Sequence, residues 1–400
     1  MDQFKLVSRS HPSRSFSTDF LREEAIQRVR AFHSRFPMYA PTPLAQLPRT
    51  AAALGLGEIY VKDESYRFGL NAFKVLGGSY AIGRILAERL QLDSRALNWD
   101  ILTAPATQEQ LGKLTFVTAT DGNHGRGVAW AAKRFGHRSV VYMPKGTARE
   151  RLENILAEGS DACITEMNYD DAVRHAAHQS ETQGWLLVQD TTQAGYETVP
   201  RWIMQGYGTM GLEAIEQLPK KPTHVFLQAG VGSMAGAIAG LFASVYGSER
   251  PIITVVEPNA ADCHYRTALA DDGLLHSVTG QMETIMAGLA CGEPCSLSWE
   301  ILSACADHFI SCPDYAAAKG MRMLAAPVSG DDRLISGESG ASAFGCIAEI
   351  MMNPSLARIK EALQLDASSR LLFFSTEGDT DAANYRAVVW DGRYPSFHGQ

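Results

Sequence analysis

The 400-residue chain is short of positive charge: 36 Lys and Arg stand against 44 Asp and Glu, a formal net charge of -8. Nucleic acid and anionic membranes both select for a basic face, so neither is expected as a partner. Cysteine is sparse as well, seven in all, at 163, 263, 291, 295, 305, 312 and 346, and no pair has CxxC spacing. That spacing argues against a zinc or thiol-redox centre, and no metal is expected. Most of the cysteines are expected as buried thiols; a disulfide from Cys263 to the 291–312 group stays open. Met1–Ser17 lacks an apolar run and carries Lys5, Arg9 and Arg14, so it is neither a secretory signal nor a membrane span. A cytoplasmic location is the resulting expectation. Internal repeats, low-complexity tracts and Gly/Ser-rich linkers are absent too.

What remains is an ordinary globular composition, 46% hydrophobic, and long enough for two domains. Apolar positions at helical spacing run through 19–36 after Ser17-Thr18-Asp19, which can cap a helix. Ile59–Glu64 reads as a strand, and the pattern turns helical from Phe73 to Leu90. From there the two element types alternate. Strands are expected at Thr115–Ala119, Ser139–Met143, Ala162–Thr165, Trp185–Gln189, Thr223–Leu227 and Ile252–Val256. Helices are expected over 125–135, from Arg149, over 170–182 and over 201–217. The strands are continuous apolar runs, which calls for sheets covered on both faces. The fold class is α/β: two open, mostly parallel twisted sheets flanked by helices.

Four stretches invite chemistry. The first is Arg67–Ala81, where Lys74 lies among apolar residues near a helix start. Lys74 is either a surface charge or an amine desolvated so that its pKa falls and it can attack a carbonyl. The second is Thr118–Gly127, a strand-to-helix turn whose Thr120, Asp121, Gly122, Asn123 and His124 can hold a carboxylate or simply cap the helix. The third, Gln228–Gly236, holds Gly230, Val231, Gly232, Ser233 and Met234. Its glycines let amides converge on an anion, and a single phosphate suits it. Its glycine spacing misses the dinucleotide fingerprint by one residue and it has no P-loop Lys-Ser/Thr, which weakens NAD and ATP. Close helix–strand packing would explain the same glycines. The fourth is Leu371–Asp381, an apolar strand ending in Ser375, Thr376 and acids.

Together these motifs resemble the tryptophan-synthase-like pyridoxal-phosphate enzymes of fold type II. Ala72-Phe73-Lys74 and Thr120-Asp121-Gly122-Asn123-His124 are similar to the lysine motif and asparagine loop of serine/threonine dehydratases. More particularly, Lys62–Ser65, Arg67–Lys74, Thr120–Trp130, Ile203–Tyr207, Met286–Pro294, Ser336–Gly340 and Ser375–Asp381 resemble the diaminopropionate ammonia-lyase family, over about 36 to 395. The resemblance implies a pyridoxal 5'-phosphate lyase that eliminates ammonia from 2,3-diaminopropionate, yields pyruvate and two ammonia, and acts on both enantiomers. A serine/threonine dehydratase-type lyase is the alternative. It implies that Lys74, next to Phe73, holds the cofactor, that Asn123 bonds the ring hydroxyl, and that the 230–236 loop cradles the phosphate. Ser375 or Thr376 would face the pyridine nitrogen, and Glu338 would lie near the ring. Thr120, Asp121, Gly122, His124 and Asp190 are expected around the substrate, with His124 read as a helix-start residue rather than a base. Dehydratases carry a small residue where Asp121 stands. A carboxylate ~4 Å from the β-ammonium contributes about 4 kcal/mol at an effective dielectric of ~20, before desolvation. The resemblance also implies a homodimer whose large domain comprises 1–79 and 186–400, and whose small domain comprises 80–185.

Overall fold

The computed structural model describes residues 3–9 and 18–396; residues 1–2 and 10–17 of the polar leader, with the candidate cap Ser17, lie outside them. Eleven strands occur among the described residues: β1 (Lys5–Ser8), β2 (Leu44–Gln46), β3 (Glu58–Asp63), β4 (Thr115–Ala119), β5 (Arg138–Met143), β6 (Asp161–Ile164), β7 (Leu186–Leu187), β8 (His224–Gln228), β9 (Ile252–Pro258), β10 (His308–Cys312) and β11 (Arg370–Ser375). Seven form one sheet in the order β1-β10-β9-β8-β11-β3-β2, and four form another in the order β6-β5-β4-β7. The inner strands of the large sheet are parallel and its two edges, β1 and β2, are antiparallel. All pairings in the small sheet are parallel.

The apolar runs are explained by the two cores. Along β11, Leu371 and Phe373 pack into one layer and Leu372 and Phe374 into the other, and β3 divides Ile59 and Val61 from Tyr60 in the same way. A strand with a helix layer on each face has no solvated side, so the two-residue period of side chains carries no polar alternation. The helix Val75–Arg89 lies against Thr198–Gln217 at a spacing set by glycine: a Cβ on Gly206 would stand 2.4 Å from the Leu76 carbonyl. This contact seats the first turn of the helix that follows Lys74.

Several local expectations shift. The segment expected as one helix over 19–36 is a 3-10 turn, Asp19–Leu21, then a helix Glu23–His33. Thr18 makes no side-chain cap, and Arg22, extended at ψ 149°, separates the two. Helix begins at Val75 rather than Phe73, with Lys74 as the residue before it. The strand expected at Trp185–Gln189 shrinks to β7. There the Gln189 side-chain carbonyl accepts the Ala119 amide (3.0 Å), while the Gln189 amide turns to the Tyr196 hydroxyl (2.9 Å). A side chain has replaced the backbone in the ladder. Strands β1, β2 and β10 and the helices Trp99–Thr103 and Pro105–Leu111 carry no expectation from the sequence. All seven cysteines are free thiols, so the disulfide left open at Cys263 is not formed.

Candidate active site

The carboxyl ends of β3, β4, β7, β8 and β11 face one cavity, where ligands of open α/β sheets gather. It is lined by residues of both sheets' loops, among them Lys74, Asp121, Asn123, Asp190, Gly230–Met234 and Thr376. Lys74 is delivered by a short connection from β3. The Phe73 amide donates to the Thr376 carbonyl (3.1 Å), and Ala72 bridges Glu377, so the end of β11 fixes the lysine's backbone. The Lys74 Nζ donates to Asp190 Oδ2 at 2.5 Å and lies 5.6 and 5.8 Å from the ring centroids of Phe73 and Tyr207.

This geometry reverses one expectation. Burial alone would lower the Lys74 pKa, as a desolvated amine requires, but the attraction of Asp190, joined by Tyr207 and Asp121, outweighs it and holds the amine above the ordinary lysine range. Asp190 shows the counterpart: burial pushes its carboxyl up, the charge and hydrogen bond of Lys74 together with His124 and a backbone amide outweigh it, and it settles at about 2. Asp190 is itself fixed, since its carbonyl accepts from Ser233 Oγ (2.5 Å) and its Oδ1 from Tyr169 (3.4 Å). His124 is buried, and burial lowers its pKa. Its Nε2 donates to the Val188 carbonyl (2.8 Å), which leaves an unprotonated Nδ1 4.0 Å from Asp190. His124 lies in the first turn of the helix Asn123–Arg134, at the helix start where the sequence places it.

On the facing wall, Asn123 donates its side-chain amide to Glu377 Oε2. Thr376 lines the cavity and its hydroxyl accepts from Gln228 (2.9 Å), whereas Ser375 does not line it and donates to Ser336 (2.8 Å). Of the two hydroxyls left open by the sequence, Thr376 is the one at the cavity. Thr120 and Gly122 stand behind Asp121 rather than on the wall, the Thr120 hydroxyl accepting the Gly122 amide (2.9 Å). Glu338, expected near the ring, lines an adjoining cleft of about 970 Å³ and bonds Arg151. Burial pushes the Glu338 carboxyl up to about 8, with Arg151 opposing. Arg151 and Tyr169 escaped sequence reading, whereas Gln228 and Glu377 fell within stretches it singled out but were given no role. Glu377 had its place directly after the strand-end hydroxyls as a signal, and Gln228 its place at the head of the glycine loop.

Whether a pyridoxal phosphate fits can be judged from the loop after β8. Gly232, at φ +95°, precedes the helix Ser233–Tyr246, whose first amides have no intrahelical acceptor and face an anion with the favourable end of the helix dipole. A Cβ there would stand 2.4 Å from His264 Nε2. His264 cannot retreat, because its Nδ1 and amide are both bonded to Glu257 Oε1 (2.8 and 2.9 Å). Gln228 Oε1, on the cavity wall, is buried without a partner. An amine, a phosphate-sized amide cradle and a hydroxyl-tipped strand on one cavity fit this cofactor. Gly232→Ala is therefore expected to weaken cofactor binding by at least about tenfold, from a left-handed strain of ~1–3 kcal/mol plus the clash. Equilibrium dialysis against the cofactor checks it, and unchanged affinity would show that the loop is not the cradle.

The comparisons with known proteins point to the same cofactor. The family model described as pyridoxal-phosphate dependent enzyme matches residues 36–358. The chain is 53% identical to the diaminopropionate ammonia-lyase of Salmonella typhimurium (strain LT2), over 91% of this chain and 92% of that protein. The chain belongs to the diaminopropionate ammonia-lyase family. To the Escherichia coli K12 member it is 50% identical, covering 92% of this chain and 91% of that one. A solved holo structure of the Escherichia coli lyase superposes with a TM-score of 0.92 at 45% identity, covering 98% of each chain. The two-sheet architecture expected from the sequence is thus that of fold type II pyridoxal-phosphate enzymes, and the cofactor is pyridoxal phosphate.

Proposed function

We propose that this cavity carries out the α,β-elimination of 2,3-diaminopropionate, taking up one water and releasing pyruvate and two ammonia. Membership of the diaminopropionate ammonia-lyase family supports the overall reaction. The single observation that supports its assignment to residues is that one amine, Lys74, a buried carboxylate, Asp190, and a partly buried one, Asp121, share the cavity. Lys74 would hold the cofactor through its ε-amine. Asn123 would serve the ring hydroxyl, the Gly230–Met234 amides the phosphate, and Thr376 the pyridine nitrogen. Bound there, the cofactor supplies the sink for electrons left when the substrate's Cα–H bond breaks.

The protein's part is proton management. Asp190 stabilises Lys74 in its ammonium form at Nζ, and Lys74 acts as a nucleophile or base only in its neutral form. Lys74 then removes the α-proton of one substrate enantiomer, and Asp121, on another part of the wall, removes that of the other. An amine leaves only when protonated, and the negative field of Asp121 and Asp190 keeps the β-nitrogen in its ammonium form. Burial and the neighbouring Glu377 raise the Asp121 pKa, while Arg151 and Lys74 oppose them, so the group is poised to exchange a proton.

Asp121→Asn is expected to cut turnover of one enantiomer by about 10²- to 10⁴-fold and that of the other, which loses only part of the field on its β-ammonium, far less. Pyruvate release from D- and L-diaminopropionate, with serine and threonine as comparison substrates, measures this. An equal loss on both enantiomers would defeat the division of labour. A cytoplasmic homodimer belongs to the same proposal, the location supported by seven free thiols. So does a small domain of 80–185 set against the rest. No helix among the described residues is long and apolar enough to cross a membrane.

A further inference from the structure

We propose that Arg151 is the positioning residue of the acid–base carboxylate Asp121, holding it ionised at the cavity wall and tying the loop that bears it to the opposite side of the cleft. The inference rests on the assignment of Asp121 above and adds the group that would control it. Arg151 is in the helix Arg149–Ala157, beside the small sheet, and its side chain is only 3% exposed. Its Nη1 donates to Asp121 Oδ2 at 3.2 Å, and its Nη2 donates to Glu338 Oε1, in the loop before the helix Ser342–Met352 beside the large sheet. One planar guanidinium thus spans two carboxylates separated by 217 positions in the chain. The preceding residue, Glu150, reinforces the crossing by accepting the Ala382 amide (3.1 Å) at the start of the helix Ala382–Val389. A planar fork with fixed donors can bind two acids in set directions, which an ammonium cannot.

The charges around Asp121 explain why a cation is needed. From the packed elements, Lys74 and Arg151 face it as cations and Glu377 as an anion. His124, Tyr169, Tyr207 and Cys291 also sense its charge. Arg151 in turn faces Glu338, Glu377 and Asp381. Lys74 is already committed to Asp190. Burial pushes the Asp121 carboxyl toward its neutral form, and Arg151 is the strongest opposing influence. A carboxylate acting as a base works only while ionised, so its substrate's turnover falls as the pH drops through its pKa. Without Arg151 that pKa rises, and the acid limb moves to higher pH.

The test compares wild type, Arg151→Met, Arg151→Lys and Glu338→Gln as cofactor-loaded proteins. The enantiomer that depends on Asp121 is first identified with Asp121→Asn. For that enantiomer, the acid limb of kcat/KM in Arg151→Met is expected to rise by at least about one pH unit, a tenfold change in proton affinity. Arg151→Lys should restore part of the shift, and the limb for the other enantiomer should stay in place. Independently of turnover, the ¹³C-carboxyl resonance that Asp121→Asn removes should titrate at least about one unit higher in Arg151→Met. If Arg151→Met does not fold, Arg151→Lys carries the test with a smaller upward shift, and Glu338→Gln, which frees the guanidinium for Asp121, must not move the resonance upward. An unmoved resonance, or equal shifts for both enantiomers, overturns the proposal. If Asp121→Asn impairs both enantiomers alike, the parent assignment fails, and the resonance still decides whether Arg151 holds Asp121.

Discussion

Replacing Lys74 by alanine is expected to reduce turnover by about 10⁴-fold or more, the combined loss of a nucleophile and a proton carrier. Among the residues that line the cavity it is the only lysine. No neighbour can take its place, because the nearest charged group, Asp190, has the opposite sign. The visible absorption of the bound cofactor should change with it, since the covalent link to the protein is gone. Lys74→Ala also strands Asp190, whose carboxyl is buried and kept at about 2 by the lysine's charge, so this acid will move upward and bind a proton near neutrality more readily. Lys74→Arg separates these effects: it retains a cation for Asp190 and should keep the fold, yet remains inactive because a guanidinium does not deprotonate. Recovery of more than about one per cent of wild-type activity in Lys74→Ala would mean that catalysis is centred elsewhere.

The largest stability effect is expected not at the cavity but seven residues before Lys74. Arg67 is fully buried and donates to Glu64 (2.8 Å from Nε and from Nη2) and Glu213 (2.9 and 2.8 Å), while Lys62 Nζ reaches the same Glu213 at 2.8 Å. Two cations and two anions are therefore buried together. Such a set contributes little beyond an apolar core while intact, but removing one member leaves an uncompensated charge, and Arg67→Ala should cost about 3–5 kcal/mol. The network anchors the loop that presents Lys74, where Phe68, Gly69 and Asn71 all take positive φ and Asn71 reaches Asp379 (3.0 Å). The pH dependence has a defined sign. Burial raises the Glu213 pKa, but Arg67 and Lys62 bring it down to about 2, so its contribution is present above the ordinary glutamate range and fades as the pH falls toward about 2. In Arg67→Ala that pKa rises, and acid denaturation should set in at higher pH. Urea unfolding across pH measures both effects; a loss under about 1 kcal/mol would show the network to be relaxed or hydrated.

Much of this protein was readable from its chain. The apolar runs at β4, β5, β8, β9 and β11 announce strands buried on both faces, because a strand covered twice has no reason to alternate. The turns that follow them carry residues that local chemistry singles out: a lysine, a glycine loop, an asparagine and paired hydroxyls. Short or edge elements were not readable. β1 and β2 pair by antiparallel backbone bonds at the margins of the large sheet, and such bonds leave little mark on side-chain pattern. β7 shortened because one glutamine side chain took over a ladder bond.

The sequence by itself determined the fold class and the strand-end loops, since each rests on residues adjacent in the chain, and its family resemblance implied the cofactor. Tertiary structure decided the ionisation. That Lys74 is held protonated rather than made neutral follows from Asp190, 116 positions away; that Thr376 rather than Ser375 meets the cavity follows from the turn at the end of β11. That Asp121 and Glu338 share Arg151 follows from a helix beside one sheet docking on a loop beside the other. Charge acts through space over a few ångströms, and only the order of the strands determines which distant acids and bases come within that range.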